Sequence, residues 1–265
     1  MATRIADSWE RGDPYERYVG RWSRRVAPRF LAWLDVPPAR RWLDVGCGTG
    51  ALCGAIGEHC APAAVAGAEP SAGFLATARQ WLSERADLRP GSAASLPFGD
   101  GDFDVVVSGL VLNFVPDTRA ALAEMARVAR RGGTIAAYVW DYAGRMELMR
   151  AFWDAAVALD PAAAPLDEGT RFPLCRPEPL SQLFSAAGLR QVETFALDVP
   201  TPFESFDDYW QPFLGGQGPA PAYVASLDEA ARGRLRERLR QQLPAQPDGS
   251  IALVARAWAV RGVRP

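Results

Sequence analysis

Between Arg41 and Trp140, short apolar runs alternate with longer stretches whose apolar residues recur at helical spacing. Residues 41–45 read as a strand that ends in a cluster of glycines, and a helix is expected to follow over 49–59. Residues 63–69 form a second apolar run, and Ser71 can cap the helix after it. In that helix Phe74, Leu75, Ala78, Trp81 and Leu82 fall on one face, at i, i+1, i+4, i+7 and i+8. Residues 103–108 are nearly all apolar, as expected for a strand covered on both faces. Pro116-Asp117 opens another helix, with Leu122, Met125, Val128 and Ala129 on its inner side. Gly132-Gly133 is expected to end that helix, because glycine accepts the left-handed turn at a helix C-terminus, and 134–140 is the next strand. Such strand–helix alternation gives parallel strands with right-handed crossovers, hence an α/β, Rossmann-like, doubly wound sheet.

Two regions lie outside this regular pattern. Residues 14–34 look helical and carry Tyr15, Tyr18, Trp22 and Trp33. Residues 141–250 hold one further core strand near 190–198, and otherwise helices and Pro/Gly-rich loops dense in aromatics, among them Phe152, Trp153, Phe203, Tyr209, Trp210, Phe213 and Tyr223. Residues 251–260 form a closing strand. The expected organisation is a single domain over 1–265: a helical cap (1–35), a ligand-binding core (36–140), a lid or substrate wall (141–250) and a final strand (251–265). Gly215 to Pro221 reads equally as a hinged lid loop or as a plain connector. The arginines spaced along 232–240 read as a solvated, salt-bridged helix face.

Composition narrows the chemistry. The 265 residues are 49% hydrophobic and 23% charged, an ordinary globular balance, and the net charge of −2 gives no field that would draw nucleic acid or an anionic membrane. No run approaches the ~20 apolar residues of a membrane span, and the N-terminal stretch has no apolar signal segment, so a cytoplasmic location is the expectation. All 29 basic residues are arginine. Without lysine there is no Schiff base to pyridoxal phosphate and no P-loop lysine. His59 is the one histidine, which excludes multi-histidine metal sites, and no G-x-S-x-G elbow accompanies it. No metal site is expected. Cys47, Cys53, Cys60 and Cys175 contain no C-x-x-C pair and read as reduced thiols.

The chemistry-bearing motif is Asp44-Val45-Gly46-Cys47-Gly48-Thr49-Gly50, where the first strand turns into the first helix of the alternating pattern. Glycines there allow a sharp turn and the close approach of a ligand, and the helix N-terminus beyond offers free N–H groups to a carboxylate. Glu69 stands about twenty residues further on, at the end of the second strand, where an acid can accept hydrogen bonds from both ribose hydroxyls. A nicotinamide dinucleotide and S-adenosyl-L-methionine (SAM) both fit these features.

The same glycine motif resembles motif I of the class I SAM-dependent methyltransferases, especially the branch that includes the ubiquinone/menaquinone-biosynthesis enzymes. Leu96-Pro97-Phe98 with Phe103-Asp104-Val105-Val106-Val107-Ser108, and Leu122-Ala123-Glu124-Met125 with Arg127-Val128 and Gly132-Gly133, are similar to further blocks of that family, so the resemblance runs from about Arg41 to Trp140. Tyr18-Val19-Gly20-Arg21-Trp22-Ser23 is similar to small bacterial members. The resemblance implies seven strands, the last antiparallel. It also implies that Gly46, Cys47, Gly48 and Gly50 line the methionine part of SAM. Asp44 would act just below, through water or the amino group, and Glu69 would hold the ribose. Pro70 and Ser71 would flank the adenine, Ser92 and Ala93 would meet its edge, and the Ser108 carbonyl would face the ammonium. Tyr18, Arg21 and Trp22 would cover the cofactor. Many relatives carry an acid where Ser92 stands and a histidine where Asn113 stands.

Methyl transfer to a small-molecule acceptor, leaving S-adenosyl-L-homocysteine (SAH), is the activity this implies. Ligands sit beyond the carboxyl ends of parallel strands, which nominates Asn113, Trp140, Asp141 and Tyr142 to face the acceptor. Asp141 reads at least equally as a loop or helix-capping residue. The aromatic content of the lid favours a flat or apolar acceptor. The Asp-Pro-Pro-Tyr type of motif is absent at Ser108-Gly109-Leu110-Val111, which argues against methylation of DNA adenine. An NAD(P)-dependent oxidoreductase and a SAM-binding protein without catalysis are the alternatives. The oligomeric state is not legible in the chain.

Overall fold

The first strand, β1 (Arg41–Val45), is exposed only at its first residue, as its apolar run requires of a strand with neighbours on both sides and layers on both faces. The structure, a computed structural model, describes residues 20–215 and 218–265. After β1 come α2 (Ala51–His59), β2 (Ala64–Glu69), α3 (Ala72–Leu82), β3 (Asp87–Pro90), β4 (Phe103–Gly109), α4 (Thr118–Val128) and β5 (Ala129–Trp140), preceded by α1 (Arg21–Leu34). β6 (Arg190–Phe203) and β7 (Ile251–Val263) complete a seven-stranded sheet of order β3-β2-β1-β4-β5-β7-β6. β1 pairs parallel with β2 and β4, β2 with β3, and β4 with β5, whereas β7 runs antiparallel to β5. The Rossmann-like sheet and its reversed last strand are thus as expected.

Several boundaries differ. The fourth helix ends at Val128, not at Gly132-Gly133. Ala129 is already extended and pairs with Phe103 across a register shift, so the chain enters the sheet early. Gly132, at φ +71°, then lies inside β5. A Cβ on Gly133 would come within 2.8 Å of the Arg130 carbonyl and 3.0 Å of that of Asp104. The glycine pair therefore serves a close backbone approach and not a helix cap. β6 and β7 are longer than their sequence signals, and β3 carried no signal: only Leu88 in it is buried, so no apolar run marks it.

The chain divides into two compact units. One comprises Ser23–Trp140, Leu174–Leu197 and Ala257–Pro265; the other comprises Met1–Trp22, Asp141–Pro173 and Asp198–Arg256. In the first, α1 is anchored by Phe30 on Tyr138 (ring centroids 4.7 Å apart) and Trp33 stacked on Phe195 (5.8 Å). Arg261 donates to the Trp33 and Leu34 carbonyls, a cation at the negative end of the helix dipole. Residues 23–34 of the stretch expected to be an N-terminal cap therefore belong with the sheet. The family-like blocks are joined here too. Glu124 accepts from the Leu96 N–H, and Arg127 donates to the Phe98 and Leu96 carbonyls and to Asp100. Asp104 accepts from the Arg41 N–H at 2.9 Å and from Arg130.

In the second unit α5 (Glu147–Leu159) presents Phe152 and Trp153, both fully buried, to the other aromatics. Phe152 stacks on Phe213 at 4.5 Å, Trp153 packs on Tyr223, and Tyr209 packs on Phe203 and Phe213. These rings build a hydrophobic core. On α6 (Glu229–Gln242) of the arginine-rich stretch, Arg236 pairs with Asp207 and Arg240 lies over Phe206. Of the glycine loop before Pro219, Gly216 and Gln217 lie outside the described residues, as does Tyr18. Among the described residues no helix is long and apolar enough to cross a membrane.

Candidate functional site

The glycine loop follows from where β1 must stop. Gly46 and Cys47 both donate to the Ala68 carbonyl, at 2.8 and 3.0 Å, which bends the loop back over the end of β2. Gly46, Gly48 and Gly50 all have positive φ (74°, 54° and 89°), a region that costs any residue with a Cβ. Their surroundings differ. A Cβ on Gly46 would lie 2.6 Å from Val111 Cγ1, and one on Gly50 would lie 2.6 Å from Leu82 Cδ1. At Gly48 the nearest atom would be the Gly46 carbonyl oxygen at 4.0 Å, so its α-carbon faces open space. The first and third glycines admit protein neighbours; the middle one leaves room for something else. Trp81, half-buried on α3, donates its indole N–H to the Thr49 carbonyl at 2.7 Å and buttresses the loop from behind.

Glu69 is 7% exposed. Its carboxylate accepts from the Gly48 N–H at 3.0 Å and from the Ser71 N–H at 2.8 Å. Burial raises its pKa, and the two N–H bonds oppose the rise. Ser71 caps α3 by accepting from the Phe74 N–H, as expected. Asp44 is buried in β1. Burial pushes its carboxyl up to about 7, assisted by the charge of Glu69 and opposed by the Cys53 thiol, which donates to Asp44 at 3.5 Å. Cys53 in turn is raised well above the ordinary thiol value, first by the Cys47 thiol and then by burial. This Asp44–Cys53–Cys47 contact was not read from the sequence; the spacing of Asp44 and Cys53 across a loop carries no periodic signal.

Ser108, fully buried at the end of β4, donates its hydroxyl to the Val45 carbonyl at 2.8 Å. Leu110 takes φ +62°, and its N–H bonds to Tyr138. This left-handed step turns the chain so that Val111 reaches Gly46 and Asn113 follows two residues later. The Asn113 amide nitrogen is buried and makes no hydrogen bond. Pro70 is exposed beyond β2. Ser92 and Ala93 lie just past β3, whose Pro90 is in register with Glu69, and Ser92 accepts from the Ser95 N–H. The carboxyl ends of β1 to β4 thus bring together Asp44, the loop 46–50, Glu69 to Ser71, Ser92, Ala93, Ser108 and Asn113, all within one unit.

Arg21, Trp22, Asp141 and Tyr142 belong to the other unit. Asp141 is buried there. Its carboxylate accepts from the Arg145 N–H at 2.9 Å, and its carbonyl accepts from Gly144 and Met146, so it holds a turn. Tyr142 packs on Phe172 at 5.6 Å. His59 is exposed at the end of α2.

Residues 43–137 match the family model described as a methyltransferase domain. Demethylmenaquinone methyltransferase of Bacillus cereus is 38% identical over 122 residues, 40% of this chain and 50% of that protein. The chain spans about half the length of the curated relatives it matches. Among solved structures, the YcgJ protein of Bacillus subtilis is similar with a TM-score of 0.57 at 17% identity, covering 91% of this chain and 98% of that one. Phosphoethanolamine N-methyltransferase 2 of Haemonchus contortus, solved with phosphomonomethylethanolamine and S-adenosylhomocysteine, gives a TM-score of 0.58 at 15% identity, covering 96% and 56%. At these identities the likeness shows the fold.

Proposed function

We propose that the chain, whose residues 43–137 match the family model described as a methyltransferase domain, is a class I SAM-dependent enzyme that transfers a methyl group from SAM to a small-molecule acceptor and releases SAH. The observation that carries the reading is Glu69: a buried carboxylate at the end of β2, hydrogen-bonded to the middle glycine of the loop and one strand away from it. Its two N–H bonds leave each carboxylate oxygen a further lone pair, and a ribose diol gives these a partner.

The residues fit an adenosyl amino acid. Gly48 offers a bare α-carbon, with Gly46, Cys47 and Gly50 shaping the loop around the methionine part. The start of α2 supplies free N–H groups to a carboxylate. Asp44 supplies negative charge for the ammonium, and Glu69 accepts from the ribose. Pro70, Ser71, Ser92 and Ala93 flank the base, the Ser108 carbonyl faces the amino group, and Tyr18, Arg21 and Trp22 cover the ligand. Bound SAM supplies a methyl group on a positively charged sulfur, already activated for displacement. What remains for the protein is to align the acceptor and exclude water. Asn113 is suited to the first task, since its unbonded amide donor needs an oxygen acceptor and a substrate carbonyl or hydroxyl provides one. Asp141 and Tyr142 would line the acceptor side; the bonds of Asp141 to its own turn favour a positioning role over proton transfer. The aromatic unit favours a flat or apolar acceptor. Among the described residues no feature calls for a metal, nucleic acid or a membrane, and the cytoplasm is the proposed location.

An oxidoreductase shares the glycine loop, but the antiparallel β7 beside β5 departs from the all-parallel dinucleotide fold. The test is titration with SAM, SAH and NAD, followed by incubation with methyl-labelled SAM and a panel of phenols, amines, indoles and acids. SAM and SAH binding with label transfer is the expected result. NAD binding without SAM binding would reverse the reading, and cofactor binding with no transfer across the panel would favour a non-catalytic SAM-binding protein.

A further inference from the structure

Arg21 opens α1 with its guanidinium held on three sides. Its Cζ lies 4.3 Å from the centroid of Trp22 and 4.7 Å from that of Phe203. Nη1 donates to Asp208 at 3.0 Å, and Asp208 is itself fixed by the Glu204 N–H. The opposite edge is different. Nε and Nη2 are both shut away from solvent, and neither has a hydrogen-bond acceptor among the described residues. These two N–H groups point the same way from one plane, at the spacing of the two oxygens of a carboxylate. Leaving two donors of a cation buried and unpaired costs far more than pairing them, and the aromatic neighbours that keep water out would strengthen any bond formed there.

We propose that the Nε/Nη2 edge of Arg21 is a recognition site for the carboxylate of a small-molecule ligand. The edge is read from Arg21 and its neighbours alone; which ligand carries the carboxylate rests on the methyltransferase reading. Two molecules in a methyl transfer can bring one: the amino-acid end of the cofactor, or an acceptor that is itself an acid. Either source leaves Asp208 in place on Nη1, so the bound guanidinium would bridge two carboxylates in one plane.

The experiment compares the full chain with R21Q and R21K by calorimetry. One arm uses SAH against 5′-methylthioadenosine, which lacks the amino acid. The other uses SAH-loaded protein with benzoate, salicylate, anthranilate and indole-3-acetate, each against its primary amide. Expected is a preference of at least tenfold for the carboxylate member in one arm, lost in R21Q and reduced in R21K, which keeps the charge without the fork. Loss in the first arm assigns the edge to the cofactor, and loss in the second to the acceptor. Carboxylate preferences equal in the wild type and both variants, or absent from the wild type in both arms, overturn the proposal. If R21Q does not fold, R21K, which keeps the charge and removes the fork, gives the same comparison. Should the wild type bind no SAH, the methyltransferase reading fails separately, and the acid–amide pairs titrated without SAH still report on Arg21.

Discussion

Glu69 accepts the Gly48 N–H on one carboxylate oxygen at 3.0 Å and the Ser71 N–H on the other at 2.8 Å, so one side chain ties the glycine loop to the start of the next helix. Each oxygen keeps a free lone pair, which lets the carboxylate hold both amides and still accept from a diol. Glu69→Ala should therefore weaken SAH binding by about 1–3 kcal/mol, the range for a lost bond to a charged group. It should also lower the melting temperature, since two loop amides lose their partner. Glu69→Gln retains one acceptor oxygen and should fall between. Calorimetry and thermal melts on the same samples separate the effects; an unchanged SAH dissociation constant in the alanine variant would remove Glu69 from the ribose.

The three loop glycines should respond differently to one added methyl group. Gly46→Ala and Gly50→Ala each force a Cβ against a neighbouring side chain at a positive φ, so both should lose stability. Gly48→Ala meets no protein atom closer than 4.0 Å. Its folding cost should be the backbone term alone, about 1–2 kcal/mol for an L-residue in the left-handed region, while its methyl group occupies the room left for a ligand. The expected pattern is a large drop in denaturation midpoint for Gly46→Ala, and a near-native midpoint with at least tenfold weaker SAH binding for Gly48→Ala. Equal binding by Gly48→Ala and the wild type would mean that the ligand does not approach this face.

This division among the glycines shows where sequence reading stops. The loop, Glu69 and most of the strands were legible because each rests on local pattern: a strand end, a glycine cluster, an apolar run. The partner of each glycine was not, since Val111 and Leu82 reach the loop from residues distant in sequence. Gly132-Gly133 misled for the same reason. Its local signal fits a helix end, but pairing of Ala129 with Phe103 pulled the strand start forward. Nor did the chain reveal Glu168, a buried carboxyl bonded to the Trp153 indole and pushed up to about 8 by burial. An acid in a run of loop residues looks solvated until the packing around it is known.

Asn113 offers a sharper test of acceptor alignment than Asp141. Its amide nitrogen has no bond to lose, so Asn113→Ala should leave the fold and the SAH affinity intact. If it donates to an oxygen of the acceptor, the same change should lower kcat/KM about tenfold or more, equivalent to roughly 1–3 kcal/mol. Asp141→Ala should instead lower stability, because the Arg145 N–H loses its acceptor. Measured with any acceptor found by label transfer, equal kcat/KM for Asn113→Ala and the wild type would exclude the donor role.

Asp44 makes the site sensitive to pH in a direction that follows from its burial. Its pKa lies at about 7 in the folded chain against an ordinary value of 3.8. An acid raised on folding binds its proton more tightly in the folded state. That contribution is fully present below pH 4 and is lost as pH rises to about 7, at up to about 1.4 kcal/mol per pH unit. Asp44→Asn keeps the shape and removes the titration, so urea denaturation between pH 5 and 7 should show the wild type losing stability relative to the variant. A bound α-ammonium group reverses the preference, because its positive charge favours the ionised carboxylate. SAH affinity should then rise with pH towards about 7 and level off, with proton release on binding at pH 5.5 to 6.5, read as a dependence of the calorimetric heat on the buffer's ionisation enthalpy. Stability curves that run parallel for wild type and Asp44→Asn, or SAH binding with the same pH dependence in both, would show that this carboxyl titrates outside that range or stands apart from the ligand's amino group.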